Sequence, residues 1–186
     1  MSDKQTKTSA KRALCMVAIF AVAMFSGLKL TAQSTAPSAR AFVSQFYDWY
    51  VPQALQDRAE PTWHIALKEK GKEFAAPLAR LLRADWAAQD KCEDLVGLDF
   101  DPFLNSQDPA QHYEVGEITH EGSIYKAAIY SVQTGQRGSK PDVIAGVERS
   151  DGRWTFIDFY YPDGGDLVTI LKTPKLPCSS PRPVRK

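Results

Sequence analysis

Helices in the first half of this chain and hairpin-linked strands in the second predict an α+β fold. The expected architecture is a set of N-terminal helices packed on a curved four-stranded antiparallel sheet. Three observations carry this. Apolar residues recur at helical spacing between Ser38 and Asp90, and they alternate with period two between His112 and Tyr161. Asp151-Gly152 between two alternating runs is a strong hairpin signal. Between the halves, Leu98 to Tyr113 (LDFDPFLNSQDPAQHY) mixes three aspartates and two prolines with Leu98, Phe100, Phe103 and Leu104. A loop with four large apolar side chains must fold down onto something. It is the hinge of the fold and the expected wall of any cleft.

The elements follow in order. Met1 to Arg12 is polar and basic, and Ala13 to Leu28 is an uncharged run of 16 small and apolar residues. Leu30-Thr31-Ala32 then offers a small residue before Gln33, the layout of a secretory signal peptide. The run is shorter than the roughly 20 residues that cross a bilayer as a helix. Cleavage is therefore favoured over an uncleaved inner-membrane anchor, for which residues 13–30 would be the only membrane contact. Cys15 opens the apolar run instead of closing it, so it reads as a small apolar residue and not a lipidation site. The expected organisation is a targeting segment (1–32), a small-residue linker (33–37), a single domain (38–173) and an irregular Pro-rich basic tail (174–186). Either fate of the leader puts the body outside the cytoplasm, periplasmic or secreted.

Within the body, Phe42, Val43, Phe46, Tyr47, Trp49 and Tyr50 fall close to i, i+3, i+4, i+7 spacing after a Ser38 N-cap. Pro52 lacks the amide proton a helix needs, so a break near Val51 is expected. Trp63 to Lys70 reads as a short helical or extended piece ended by Gly71. Phe74 to Asp90 is a second clear helix, with Leu78, Leu81, Leu82 and Trp86 on its apolar side. Arg80, Arg83 and Asp85 are assigned to its solvated flank. Four strands follow, His112–His120, Ser123–Gln133, Asp142–Arg149 and Arg153–Tyr161, with turns at Glu121-Gly122, Gly135 to Pro141 and Asp151-Gly152. In the last, simple alternation puts Trp154, Phe156, Asp158 and Tyr160 on one face and Thr155, Ile157, Phe159 and Tyr161 on the other. Both faces are apolar-rich, which predicts a central strand. Asp166 is placed to cap a short helix through Leu171.

Composition excludes some functions. The chain has 186 residues, 44% hydrophobic and 24% charged, an ordinary globular balance. Its formal charge is +1, but the first 32 residues hold five basic residues and one acid. The remainder carries 18 basic (23 less 5) and 21 acidic (22 less 1) residues, a net −3. A mildly acidic body gives no reason to expect nucleic-acid binding. In an oxidising compartment the two cysteines of the body, Cys92 and Cys178, favour a disulfide over a zinc site.

FYDWYV near the first helix, GLDFDPFLNSQDP in the hinge and GRWTFIDFYYPDGGDLVTIL at the end resemble a bacterial family of exported proteins and lipoproteins. This is the domain-of-unknown-function family 3828, which includes small outer-membrane lipoproteins of enteric bacteria. The resemblance runs from about Ala39 to Leu171. It implies a cone of helices on a curved sheet, the nuclear-transport-factor-2-like or cystatin-like fold. It implies no activity, because the family has no assigned catalytic residues. The missing lipobox departs from the family, so its lipid anchoring does not carry over.

Several side chains are candidates for chemistry. Asp99, Asp101, Asn105 and Asp108 could gather oxygen ligands for calcium, but the spacing is not that of an EF-hand loop. The commoner role for such residues is to cap helix ends and make Asx-turns. Asp158, grouped with Trp154 and Tyr160, is the best carboxylate for acid–base chemistry, since burial would raise its pKa. A buried aspartate satisfied by a backbone amide, arginine or tyrosine hydroxyl is the more frequent outcome. His112 and His120 would lie about 27 Å apart along one strand and cannot share a metal. No metal and no cofactor is expected. Three functions remain open: an exported non-catalytic binding module, an enzyme using Asp158 in a cone-shaped pocket, and an immunity or inhibitor protein against an envelope-targeting hydrolase. For the first, the hinge acids, Trp154, Asp158, Tyr160 and Tyr161 are expected to hold a small ligand, peptide or envelope protein.

Overall fold

The structure, a computed structural model, describes residues 38–93, 96–175 and 177–180, all within one compact unit. The expected targeting segment (1–32), the expected linker (33–37) and residues 181–186 lie outside the described residues. No described helix is long and apolar enough to cross a membrane.

Helix α1 (Ala39–Ala54) starts where expected: the Ser38 hydroxyl accepts a hydrogen bond from the Ala41 amide at 3.2 Å. It does not stop at Val51. Pro52 lies inside its last turn, where it removes a single backbone bond. Leu55 still donates its amide to the Val51 carbonyl, and burial of Tyr50 and Val51 holds that turn in place. Helix α2 (Thr62–Glu69) resolves the ambiguous segment as helical, and a 3-10 turn at Gly71–Glu73 follows it. Helix α3 (Ala76–Gln89) carries Pro77 in its first turn, where the missing N–H has no intrahelical partner to lose.

The expected fold class holds in its coarse form, helices with an open antiparallel sheet. The sheet has five strands, not four. They are β1 (His112–Glu121), β2 (Ile124–Gln133), β3 (Gln136–Arg137), β4 (Val143–Ser150) and β5 (Arg153–Tyr160). The order is β1-β2-β4-β5, with β3 paired to the end of β2. The extra strand comes from the turn. Thr134 and Gly135 both take positive φ, the type I′ geometry, so Gln136 and Arg137 fold straight back onto Gln133 and Val132. Asp166 caps α4 (Leu167–Lys172) by accepting the Thr169 amide at 2.7 Å.

Two bulges re-aim side chains in the sheet. On β1, Val115 pairs with Ile129 but Ile118 pairs with Ala127, so two residues face one. Arg40 of α1 fixes this bulge by donating to the carbonyls of Val115 and Gly116, each at 2.7 Å. On β5, Asp158 pairs with Gly146 and Phe156 with Val147, which leaves Ile157 unpaired. The pleat therefore changes phase at Ile157, and the faces expected from simple alternation are wrong. Phe156 and Phe159 are both fully buried toward the helices, while Asp158 and Tyr160 turn to the opposite face.

β5 is also an edge strand, not a central one. It is apolar on both faces because other segments cover its edge. The Ala75 amide donates to the Phe156 carbonyl at 2.8 Å, and the Pro162–Asp166 turn brings α4 against it. This shields backbone groups that an edge would otherwise present to other chains.

Five phenylalanines fill the space between sheet and helices. Phe46 packs on Phe156 at 4.7 Å, Phe103 on Phe159 at 4.7 Å and on Phe74 at 5.2 Å. Phe103 comes from the hinge loop, so that loop supplies part of the core.

Candidate functional site

The hinge loop is held by one carboxylate. Asp101 accepts the Phe103 amide at 2.9 Å and the Leu104 amide at 3.2 Å through Oδ1, and the Tyr50 hydroxyl at 2.5 Å through Oδ2. Its own amide donates to the Ser106 carbonyl, which closes a tight loop around Pro102–Asn105. The Tyr47 hydroxyl donates to the Phe103 carbonyl at 2.8 Å, and the Tyr161 hydroxyl to the Pro102 carbonyl at 3.2 Å. Three tyrosines from α1 and the end of β5 thus clamp a loop whose Phe103 and Leu104 are buried. Burial pushes the Asp101 carboxyl up to about 6, against the pull of its three donors. Burial likewise raises the Tyr50 and Tyr47 hydroxyls well above the ordinary tyrosine range.

In front of this loop lies a cleft of about 570 Å³, bounded by the end of α1, the start of α2 and the end of α3. Trp63, Leu98 and Phe100 give it apolar walls; Gln89, Ser106 and Gln107 add polar groups. Among the described residues, its ionisable lining side chains are Asp99 and Asp101.

The cleft's inner wall depends on Asp85. Its carboxylate is buried, accepting the Leu98 amide at 3.1 Å and the Gln89 side-chain amide at 2.7 Å, and pairing with Lys175. The same Gln89 amide also donates to the Leu98 carbonyl at 3.0 Å. Gly97 makes this possible: it has φ +93°, and a Cβ there would stand 2.7 Å from the Asp85 oxygens. The sequence reading put Asp85 on a solvated flank, and that is incorrect. The missed signal is its spacing, since Asp85 follows Leu78 by seven and Leu82 by three, squarely on the apolar stripe.

The expected binding residues do not form one site. Asp99 and Asp101 line the cleft. Asn105, at φ +50°, donates to the Asp142 carbonyl at 3.0 Å, and Asp108 donates its amide to the Ser106 hydroxyl at 3.0 Å. The first ties the hinge to the residue before β4 and the second is a turn contact; neither side chain lines the cleft. Tyr161 stands behind the loop with its ring edge-on to Phe100 at 5.7 Å. Trp154 packs edge-on to Tyr125 at 5.1 Å, and Tyr160 lies under Lys126 at 5.2 Å.

Asp158 accepts its own neighbour's amide, Phe159, at 2.8 Å and the Val168 amide of α4 at 3.0 Å. Burial pushes its carboxyl up to about 6, with the nearby Asp166 adding to the rise. It is apart from the cleft, on the face where Tyr160 lies over Gly146.

His64 stacks on Trp86 at 4.0 Å and meets Glu60 at 2.5 Å through Nδ1; desolvation holds its imidazole below the usual range. His112 and His120 lie at opposite ends of β1. Among the described residues no three histidine, cysteine, aspartate or glutamate side chains gather as a metal site. Cys92 and Cys178 are brought together as a disulfide-compatible pair, with Cα atoms 5.6 Å apart. No family model matches this chain, and no curated protein or solved structure is significantly similar to it.

Proposed function

We propose that this chain is an exported, non-catalytic binding module of the cell envelope, which holds a small ligand in the cleft beside the hinge loop. The observation that carries this reading is the cleft itself. Its volume, about 570 Å³, suits a drug-sized molecule, and it combines apolar walls with a few polar groups. Both ionisable lining residues are acids, which favours a neutral or cationic ligand over an anionic one. Binding is favoured over catalysis because the best-placed carboxylates are already engaged. Asp101 holds three donors from the chain and Asp158 two backbone amides.

Export is supported by the layout of Met1 to Ala32 and by the cysteine pair, which suits an oxidising compartment. The nuclear-transport-factor-2-like cone and the likeness to family 3828 belong to the same proposal. They are supported by the order of helices before strands and by the two bulges, which bend a sheet.

A neutral apolar amine, N-phenyl-1-naphthylamine, tests the cleft by fluorescence titration. The expected result is saturable binding that is lost in Gln107→Trp, an exposed lining position where an indole would plug the cleft. Equal binding by the plugged variant would refute the assignment.

A further inference from the structure

Three ties from the C-terminal segment reach α3 and the residues just after it. Lys175 pairs with Asp85 across 90 positions of sequence, and Cys178 pairs with Cys92 just beyond α3. The Glu93 amide also donates to the Ser180 carbonyl at 2.7 Å. Asp85 in turn holds the Leu98 amide and the side chain of Gln89, both of which line the cleft. A buried carboxylate without its cation is unfavourable in a low-dielectric site. Losing Lys175 therefore drives Asp85 toward solvent, and Leu98 loses its acceptor.

We propose that Asp85 is the positioning residue of the cleft, set by Lys175 and Cys178, so that thiol reduction of the Cys92–Cys178 pair loosens the Leu98 wall. The proposal rests on the reading of the cleft as the binding site. The reductant is a dithiol of the thioredoxin class. Its thiolate attacks the Cys178 sulfur, which is partly exposed, and forms a mixed disulfide; the leaving group is the thiolate of Cys92, which is buried. The reductant's second thiol then displaces Cys178. Two electrons and two protons pass to the chain, and the dithiol becomes a disulfide.

Amide hydrogen exchange tests this on three samples: the oxidised chain, the chain treated with dithiothreitol, and oxidised Lys175→Gln. The expected result is that Leu98 exchanges at least tenfold faster in the second and third samples, while the central-strand amides of β2 accelerate far less. Leu98 unchanged within twofold in Lys175→Gln would overturn the proposal. So would an equal acceleration of Leu98 and β2, or loss of β2 protection on reduction, because the pair would then be only a global staple. N-phenyl-1-naphthylamine titration of the same samples separates the two claims. Faster Leu98 exchange with weakened probe binding supports both. Faster exchange with binding unaltered, and equal in Gln107→Trp, upholds the positioning role and overturns the cleft reading.

Discussion

Replacing Asp101 probes the hinge loop most directly. Alanine removes the acceptor for the Tyr50 hydroxyl and for the Phe103 and Leu104 amides. A stranded buried donor costs about 1–3 kcal/mol, so three cost about 3–6 kcal/mol at the lower half of that range. Relief of the carboxylate's own desolvation offsets part of this at neutral pH. The offset follows from a rise of about two pKa units, from 3.8 to about 6, and amounts to about 3 kcal/mol at most. Subtracting the full offset leaves an expected net loss for Asp101→Ala of about 0–3 kcal/mol at pH 7, rising toward about 3–6 kcal/mol at pH 4, where the folded chain holds the carboxyl protonated.

Asparagine separates the two effects, because its carbonyl still accepts the backbone amides but cannot titrate. The folded chain holds the Asp101 proton to a higher pH than the unfolded chain does. Its contribution is therefore full below about pH 4 and is lost as pH rises through about 6. Asp166 and Glu60 are shifted down, and their stabilisation moves the opposite way. Only the difference between wild type and Asp101→Asn isolates the effect. In urea unfolding from pH 4 to pH 7.5, the asparagine variant should gain up to about 3 kcal/mol relative to wild type. Parallel pH curves for the two proteins, or an alanine variant within about 0.5 kcal/mol of wild type at pH 4, would refute the reasoning.

Other outcomes follow from the same contacts. Gly97→Ala forces a side chain onto φ +93° and against the Asp85 carboxylate, and should cost at least about 2 kcal/mol in urea unfolding. Arg40→Ala should lose about 1–2 kcal/mol by freeing the β1 bulge carbonyls, and Arg40→Lys should not restore it, since a single ammonium cannot match the guanidinium fork.

The strands and helices were largely legible because their signals are local. Ser38 and Asp166 cap through their own side chains, and Asp151-Gly152 turns through its own backbone. What was not legible depends on contacts distant in sequence. Ile157 drops out of register where β5 pairs with β4, which no count along β5 reveals, and simple alternation therefore puts Asp158 and Tyr160 on the face of Phe156. The cover on the β5 edge comes from Ala75, some eighty residues earlier. The hinge reads as a cleft wall from its apolar content, yet the other lining residues Trp63 and Gln89 come from α2 and α3, where each reads as ordinary helix. Asp85 reads as part of a solvated flank although its spacing puts it on the leucine stripe, and its partner Lys175 lies in a tail that reads as irregular.

Native mass spectrometry of the chain, produced in an oxidising compartment, tests the central claim that the cleft holds a ligand. The account predicts a non-covalent adduct on the wild-type chain that is missing from Gln107→Trp. A bare mass for the wild type, or the same adduct on both proteins, would contradict it.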